Sequence, residues 1–178
     1  MKYTLNSIIE RYNKNEKLDY IFFWGHTSNN GITKACFSQW YKSYFIVDDI
    51  KYSTAEQFMM AQKALLFNDL DTYNKIIKTD NPSQCKSLGR KVKNFNEEIW
   101  NENKYNIVLK GNLAKFSQNE KLKNFILSTN NKILAEASPY DTIWGIGLLE
   151  SVKGIENPNN WLGKNLLGFS LMEVRDIL

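Results

Sequence analysis

Apolar and polar positions change period once along the chain, near residue 53. Before that point short apolar runs read as strands. Tyr20-Ile21-Phe22-Phe23-Trp24 is a continuous apolar, aromatic run that stops at Gly25, the pattern of a buried strand. Residues 25–33 read as a polar loop. Residues 36–40 and 44–47 read as further short strands, with a turn at Asp48-Asp49 ahead of Tyr52. After it, helical spacing takes over. Ser53-Thr54-Ala55-Glu56 has the capping-box pattern, with Ser53 at the N-cap and Glu56 at N3, ahead of Phe58, Met59, Ala61, Ala64 and Leu65. This predicts a helix over residues 54–67. Helices are also predicted over residues 69–78, from Asn81-Pro82 to Gly89-Arg90, from Asn96 through Phe116 with Gly111 as a point of interruption, and over residues 119–127 and 165–178. Residues 132–136 suit a short strand and residues 139–147 a loop. The sum is an α+β chain, helix-rich, with a small sheet concentrated towards the front. With 178 residues, three prolines and no Gly/Ser-rich linker, one domain is expected over residues 1–178, residues 1–19 being an N-terminal extension.

Charge and composition exclude more than they select. Lys+Arg 23 against Asp+Glu 19 gives a net charge of +4 with no dense basic block, which permits an anionic ligand without requiring nucleic acid. No apolar run approaches the ~20 residues that span a bilayer. The first residues place charges inside their apolar positions, unlike a secretory signal. Cys36 and Cys85 match no zinc or redox spacing, so a reduced, cytoplasmic protein is expected. The single histidine, His26, removes Cys/His zinc sites, two-histidine metalloproteases and facial-triad iron. It reads as a loop residue, open to a ligand contact. There is no G-x-S-x-G elbow, no phosphate loop of the G-x-x-x-x-G-K type and no G-x-G-x-x-G. Catalysis is therefore expected to rest on carboxylates, lysine, tyrosine or water, with no metal and no cofactor.

Polar and aromatic residues gather at Phe23-Trp24-Gly25, at residues 53–63, at Leu88-Gly89-Arg90 and at residues 139–147. These elements resemble the NADAR proteins, also described as the riboflavin-intermediate N-glycosidase family, and the likeness covers nearly the whole chain after about Ile21. Phe37-Ser38-Gln39-Trp40 resembles the family's Phe-Ser-Asn-Phe element. Tyr52-Ser53-Thr54-Ala55-Glu56-Gln57-Phe58, followed by Gln62-Lys63, resembles its Thr-x-Glu-His-Tyr helix with a trailing Gln-Lys. Leu88-Gly89-Arg90, Lys115-Phe116, Pro139-Tyr140-Asp141, Trp144-Gly145-Ile146-Gly147, Gly163-Lys164-Asn165-Leu166-Leu167-Gly168 and Leu171-Met172-Glu173-Val174-Arg175 follow in family order. Gln39 stands where asparagine is usual and Gln57 where histidine is usual, which puts selectivity in question. Residues 148–160 have no clear counterpart.

The resemblance implies hydrolysis of the N-glycosidic bond between ribose and a nitrogenous base, in a small molecule related to ADP-ribose or a riboflavin precursor. Removal of ADP-ribose from guanine in nucleic acid, and mere binding of ADP-ribose or NAD, are the alternatives. Breaking such a bond develops oxocarbenium-like charge, which a carboxylate stabilises or which water activated by it quenches. The departing base is held by stacking. Glu56 and Asp141 are the candidate catalytic carboxylates, against a helix cap for the first and a turn former for the second. Lys63 lies two turns beyond Glu56 on the same helical face, so both side chains can look into one cleft. It is either an ion-pair lysine or an amine nucleophile that forms a Schiff base. Trp24, Trp100 and Trp144 are stacking residues or core. Arg90 is a phosphate clamp or a complement to the helix dipole. Gly25, Gly145 and Gly147 serve tight turns or a close backbone approach to substrate.

Overall fold

The structure is a computed structural model that describes residues 1–28 and 31–178. Residues 29 and 30, within the expected loop 25–33, lie outside the described residues. In chain order the elements are α1 (Leu5–Asn13), β1 (Tyr20–Phe23), β2 (Phe45–Val47), β3 (Ile50–Tyr52), α2 (Ala55–Leu66), α3 (Leu70–Ile77), α4 (Pro82–Gly89), α5 (Glu97–Ser117), α6 (Glu120–Leu127), β4 (Ile133–Glu136) and α7 (Leu166–Ile177). The α+β, helix-rich class expected from the periodicity is the class observed. The chain divides into two compact units, residues 39–120 and residues 1–38 together with 121–178. Among the described residues no helix is long and apolar enough to cross a membrane.

In the 39–120 unit, β2 and β3 pair antiparallel with Phe45 opposite Tyr52 and Val47 opposite Ile50. Asp48 and Asp49 both adopt positive φ (51° and 61°). That is the geometry a two-residue hairpin turn needs, and one that short polar side chains tolerate. Helix α2 is the centre of the unit, packed by α3, α4 and α5. Every residue from Ala55 to Ala61 is buried, so its polar residues are inside as well as its apolar ones. Asp69, Asn81 and Asn96 cap α3, α4 and α5, each side chain accepting from the N–H three residues on. Gly111 does not interrupt α5. A Cβ there would stand 2.5 Å from Cδ1 of Phe58, so the glycine lets α5 and α2 approach while the helix continues.

In the other unit β1 and β4 run parallel, Tyr20 opposite Ile133 and Phe23 opposite Glu136, with α7 packed on β4. The expected strand at residues 36–40 is not formed. Lys34–Phe37 is a 3-10 turn opened by Thr33, whose hydroxyl accepts from the Ala35 N–H. Ala35, Cys36 and Phe37 are all buried, whereas a half-buried strand would alternate. Residues 1–19, treated as an extension, contain α1, closed by a Thr4–Ser7 capping box and anchored by the buried Ile8. Segments 142–146 and 162–167 are laced by backbone bonds, including Lys164 N–H to Thr142 O (2.9 Å) and Leu167 N–H to Trp144 O (3.1 Å). Asn165, in a left-handed conformation, ties them to the sheet. Its Oδ1 accepts from Glu136 N–H (3.0 Å) and its Nδ2 donates to Leu134 O (2.9 Å).

This lacing leaves no room for a side chain at Gly168, where a Cβ would meet Leu134 O at 2.0 Å and the Asn165 amide at 2.6 Å. Gly168→Ala therefore destabilises the fold by about 1–3 kcal/mol, because backbone and a doubly bonded amide cannot yield. A thermal melt is expected to fall by several degrees.

Candidate active site

Glu56 is 3% exposed at the second position of α2. The cap is built differently from the sequence expectation. Thr54, not Ser53, is the N-cap, and its hydroxyl accepts from Gln57 N–H at 3.1 Å. Gln57, not Glu56, occupies N3, and its Oε1 accepts from the Ser53 N–H (2.7 Å) and hydroxyl (3.0 Å). The shift by one residue takes Glu56 out of the capping box and turns it inward at the positive end of a helix, a position that favours a carboxylate. Its own N–H donates to Gln39 O at 2.9 Å. Its charge, after burial itself, helps push the neighbouring Cys85 thiol up to about 12, so that cysteine is no nucleophile.

Lys63 meets aromatic faces. Its Nζ stands 4.2 Å from the centroid of Phe95 and 5.4 Å from that of Trp100. Seven residues of helix place it about 10 Å along the axis from Glu56. Burial lowers its pKa from the ordinary lysine value. Lys63 and half-buried Trp100 are thus brought together. Arg90 is the exposed C-cap of α4, its N–H bonded to Lys86 O at 3.1 Å.

In the other unit, Trp24 follows β1 and is 51% exposed. Its ring lies 6.2 Å from that of Tyr140, which is 88% exposed. Gly25 beside it has φ 84°. Asp141 forms the turn 141–144, its Oδ1 accepting from Ile143 N–H (2.9 Å) and Trp144 N–H (2.7 Å), and so sets the half-buried Trp144. Gly145 is required by packing, since a Cβ would meet Glu136 O at 2.8 Å and Asp141 O at 2.9 Å. Gly147 has φ 72°, strained for other residues. Among the described residues no group of three His, Cys, Asp or Glu side chains is placed to hold a metal ion.

The NADAR domain model matches residues 22–178. The chain belongs to the NADAR family. Among curated relatives, N-glycosidase R617 of Acanthamoeba polyphaga mimivirus is 45% identical over 162 residues, 88% of this chain and 95% of the relative. N-glycosidase YbiA of Escherichia coli strain K12 is 30% identical over 132 residues, 74% of each. The NMR structure of E. coli YbiA superposes with a TM-score of 0.71 at 26% identity, covering 91% of this chain and 86% of that one.

Gln57 is spent inside the fold. Besides holding Ser53, its Nε2 donates to Ile76 O (3.1 Å) and Thr79 O (2.9 Å), closing the C-terminal end of α3. Gln39 is buried against Asn112, whose Nδ2 donates to its Oε1 at 2.8 Å. Four residues carry more than the motif reading of this NADAR chain assigned them. Tyr140 pairs with Trp24, and its loop position gave no sign of that partner. Glu136 ends β4 beside Gly145, where the short apolar run before it suited only a strand. Lys115 and Asn112, both fully buried on α5, sit on a helix whose sequence shows no contrast between faces. A buried lysine is rare enough to be a signal, but burial is invisible in a motif.

Proposed function

We propose that this chain, an N-glycosidase by family, hydrolyses the bond between a ribose carbon and a base nitrogen in an ADP-ribose derivative or a riboflavin precursor. The observation that carries the proposal is the Glu56 carboxylate, buried at a helix start and relieved of capping by Thr54 and Gln57. A carboxylate held out of water at that point favours the positive charge that develops on the sugar. Lys63, with burial lowering its pKa, is assigned as the nucleophile at the anomeric carbon. As the Nζ–carbon bond forms, the bond to the base breaks, and the base leaves with the electron pair and takes up a proton. The amine's two protons go to the departing base and to the ring oxygen, whose bond to the anomeric carbon breaks as the C=N bond forms, and the resulting open-chain imine is hydrolysed by water with Glu56 as base. Trp24 with Tyr140 is assigned to base stacking, Arg90 to phosphate, and Trp100 to holding Lys63. Asp141 keeps its assignment as second carboxylate through Oδ2, with Oδ1 committed to the turn that sets Trp144.

The test is incubation of the pure protein, separately, with ADP-ribosylated guanosine, ribosylated pyrimidine intermediates of riboflavin synthesis and NAD, followed by mass spectrometry of released base. Release from one of the first two supports the proposal, and release from none overturns it. Turnover is expected to survive EDTA, since every step is assigned to carboxylate, amine and water. Trp24→Ala is expected to raise KM by about 5- to 150-fold with kcat nearly unchanged, the worth of one base–aromatic stack. Steady-state kinetics check this.

A further inference from the structure

We infer that Asn112 and Gln39 form a buried amide bracket that positions Glu56, with Asn112 acting on the carboxylate only through Gln39. The inference rests on the assignment of Glu56 to catalysis. Asn112 is wholly buried on α5, and its Nδ2 donates to Gln39 Oε1 at 2.8 Å and to Val108 O, one turn back on its own helix, at 3.0 Å. Gln39 is held at both ends. Its side chain is fixed by Asn112, and its backbone carbonyl accepts the Glu56 N–H at 2.9 Å. The bracket thus runs from α5 through Gln39 to the first turn of α2, and it sets where that turn begins. The pair is not built for stability. Asn112 Oδ1 is buried without a hydrogen-bond partner among the described residues, and Gln39 Nε2 reaches only Met59 Sδ at 4.0 Å, a weak acceptor. An apolar pair would avoid the penalty of an orphaned acceptor, so its presence calls for a gain other than stability. The glutamine at 39 is also the length the bracket needs. Asparagine is shorter by one methylene, ~1.5 Å, and would not reach Asn112 Nδ2.

The test is a set of four variants read by kcat and KM on the folded protein. Asn112→Leu and Gln39→Asn are each expected to lower kcat about 10-fold or more with KM within about threefold, as a displaced catalytic group does. The swapped pair Gln39→Asn with Asn112→Gln keeps the summed length of the bracket and is expected to restore kcat to within about threefold of the parent. A merely structural amide pair would lower the melting temperature and leave kcat alone, which overturns the inference. Failure of the swapped, folded pair to regain kcat also overturns it. Glu56→Gln separates the two levels. If it retains turnover, the catalytic assignment falls and this inference with it. If it is inactive while Asn112→Leu keeps full kcat, the positioning role alone is wrong.

Discussion

Glu56→Gln lowers turnover by about 100-fold or more while the protein stays folded. Glutamine has the same shape but cannot offset a developing cation or take a proton from water, and each such function is worth about 10²–10⁴ in rate. The stability change is expected to be small. The cap is made by Thr54 and Gln57, so no capping bond is lost. Removing a negative charge from the start of α2 forgoes about 0.3–1 kcal/mol of interaction with the helix dipole. Relief of carboxylate desolvation opposes that loss, and the melt should move by no more than about 2–4 °C. Thermal denaturation and steady-state turnover on one preparation decide the matter. A variant that melts early but works fully when folded would make Glu56 a structural residue.

Borohydride added during turnover is expected to trap a covalent sugar adduct on Lys63, seen by peptide mass spectrometry, and none in Lys63→Arg. Arginine keeps the positive charge and its stacking on Phe95 and Trp100 but cannot form an imine. Turnover of that variant should fall at least 100-fold. The pH profile has a definite sign. The attacking form is the neutral amine, so rate rises as pH passes upward through the Lys63 pKa. Burial lowers that pKa from 10.5, which moves the rising limb to lower pH than an ordinary lysine would give. The two rings attract the ammonium and work in the opposite direction, so Phe95→Leu should move the limb lower still. Absence of an adduct, with substantial activity in Lys63→Arg, would leave a water-based mechanism centred on Glu56.

How much of the candidate site was legible depended on how local its cause is. The Glu56 and Lys63 motif was visible because both residues lie on one helix with a recognisable start. The placement of Lys63 against Phe95 and Trp100 was not, since those residues come from the approach to α5 and from α5 itself. The strand expected at residues 36–40 failed for the same reason. A short apolar run fits a strand or a buried turn equally well, and only the backbone hydrogen bonds separate them, here the Cys36 N–H to Thr33 O and the Ser38 N–H to Ala35 O.

Local sequence settles what a few adjacent residues can set between themselves. The caps at Asp69, Asn81 and Asn96, the Asp48-Asp49 hairpin turn and the change of period at residue 53 all follow from local hydrogen bonding and side-chain spacing. Long-range packing set the rest. It paired β1 with β4 from distant parts of the chain, let α5 run through Gly111 against Phe58, and moved the α2 cap by one residue because Gln57 had carbonyls at the end of α3 and just beyond it to hold. It also buried Asn112 beside Gln39 and set Tyr140 beside Trp24. Such contacts join residues whose separation along the chain carries no pattern. Their energies appear only once packing has brought the partners together and taken the alternative, hydrogen bonding to water, away.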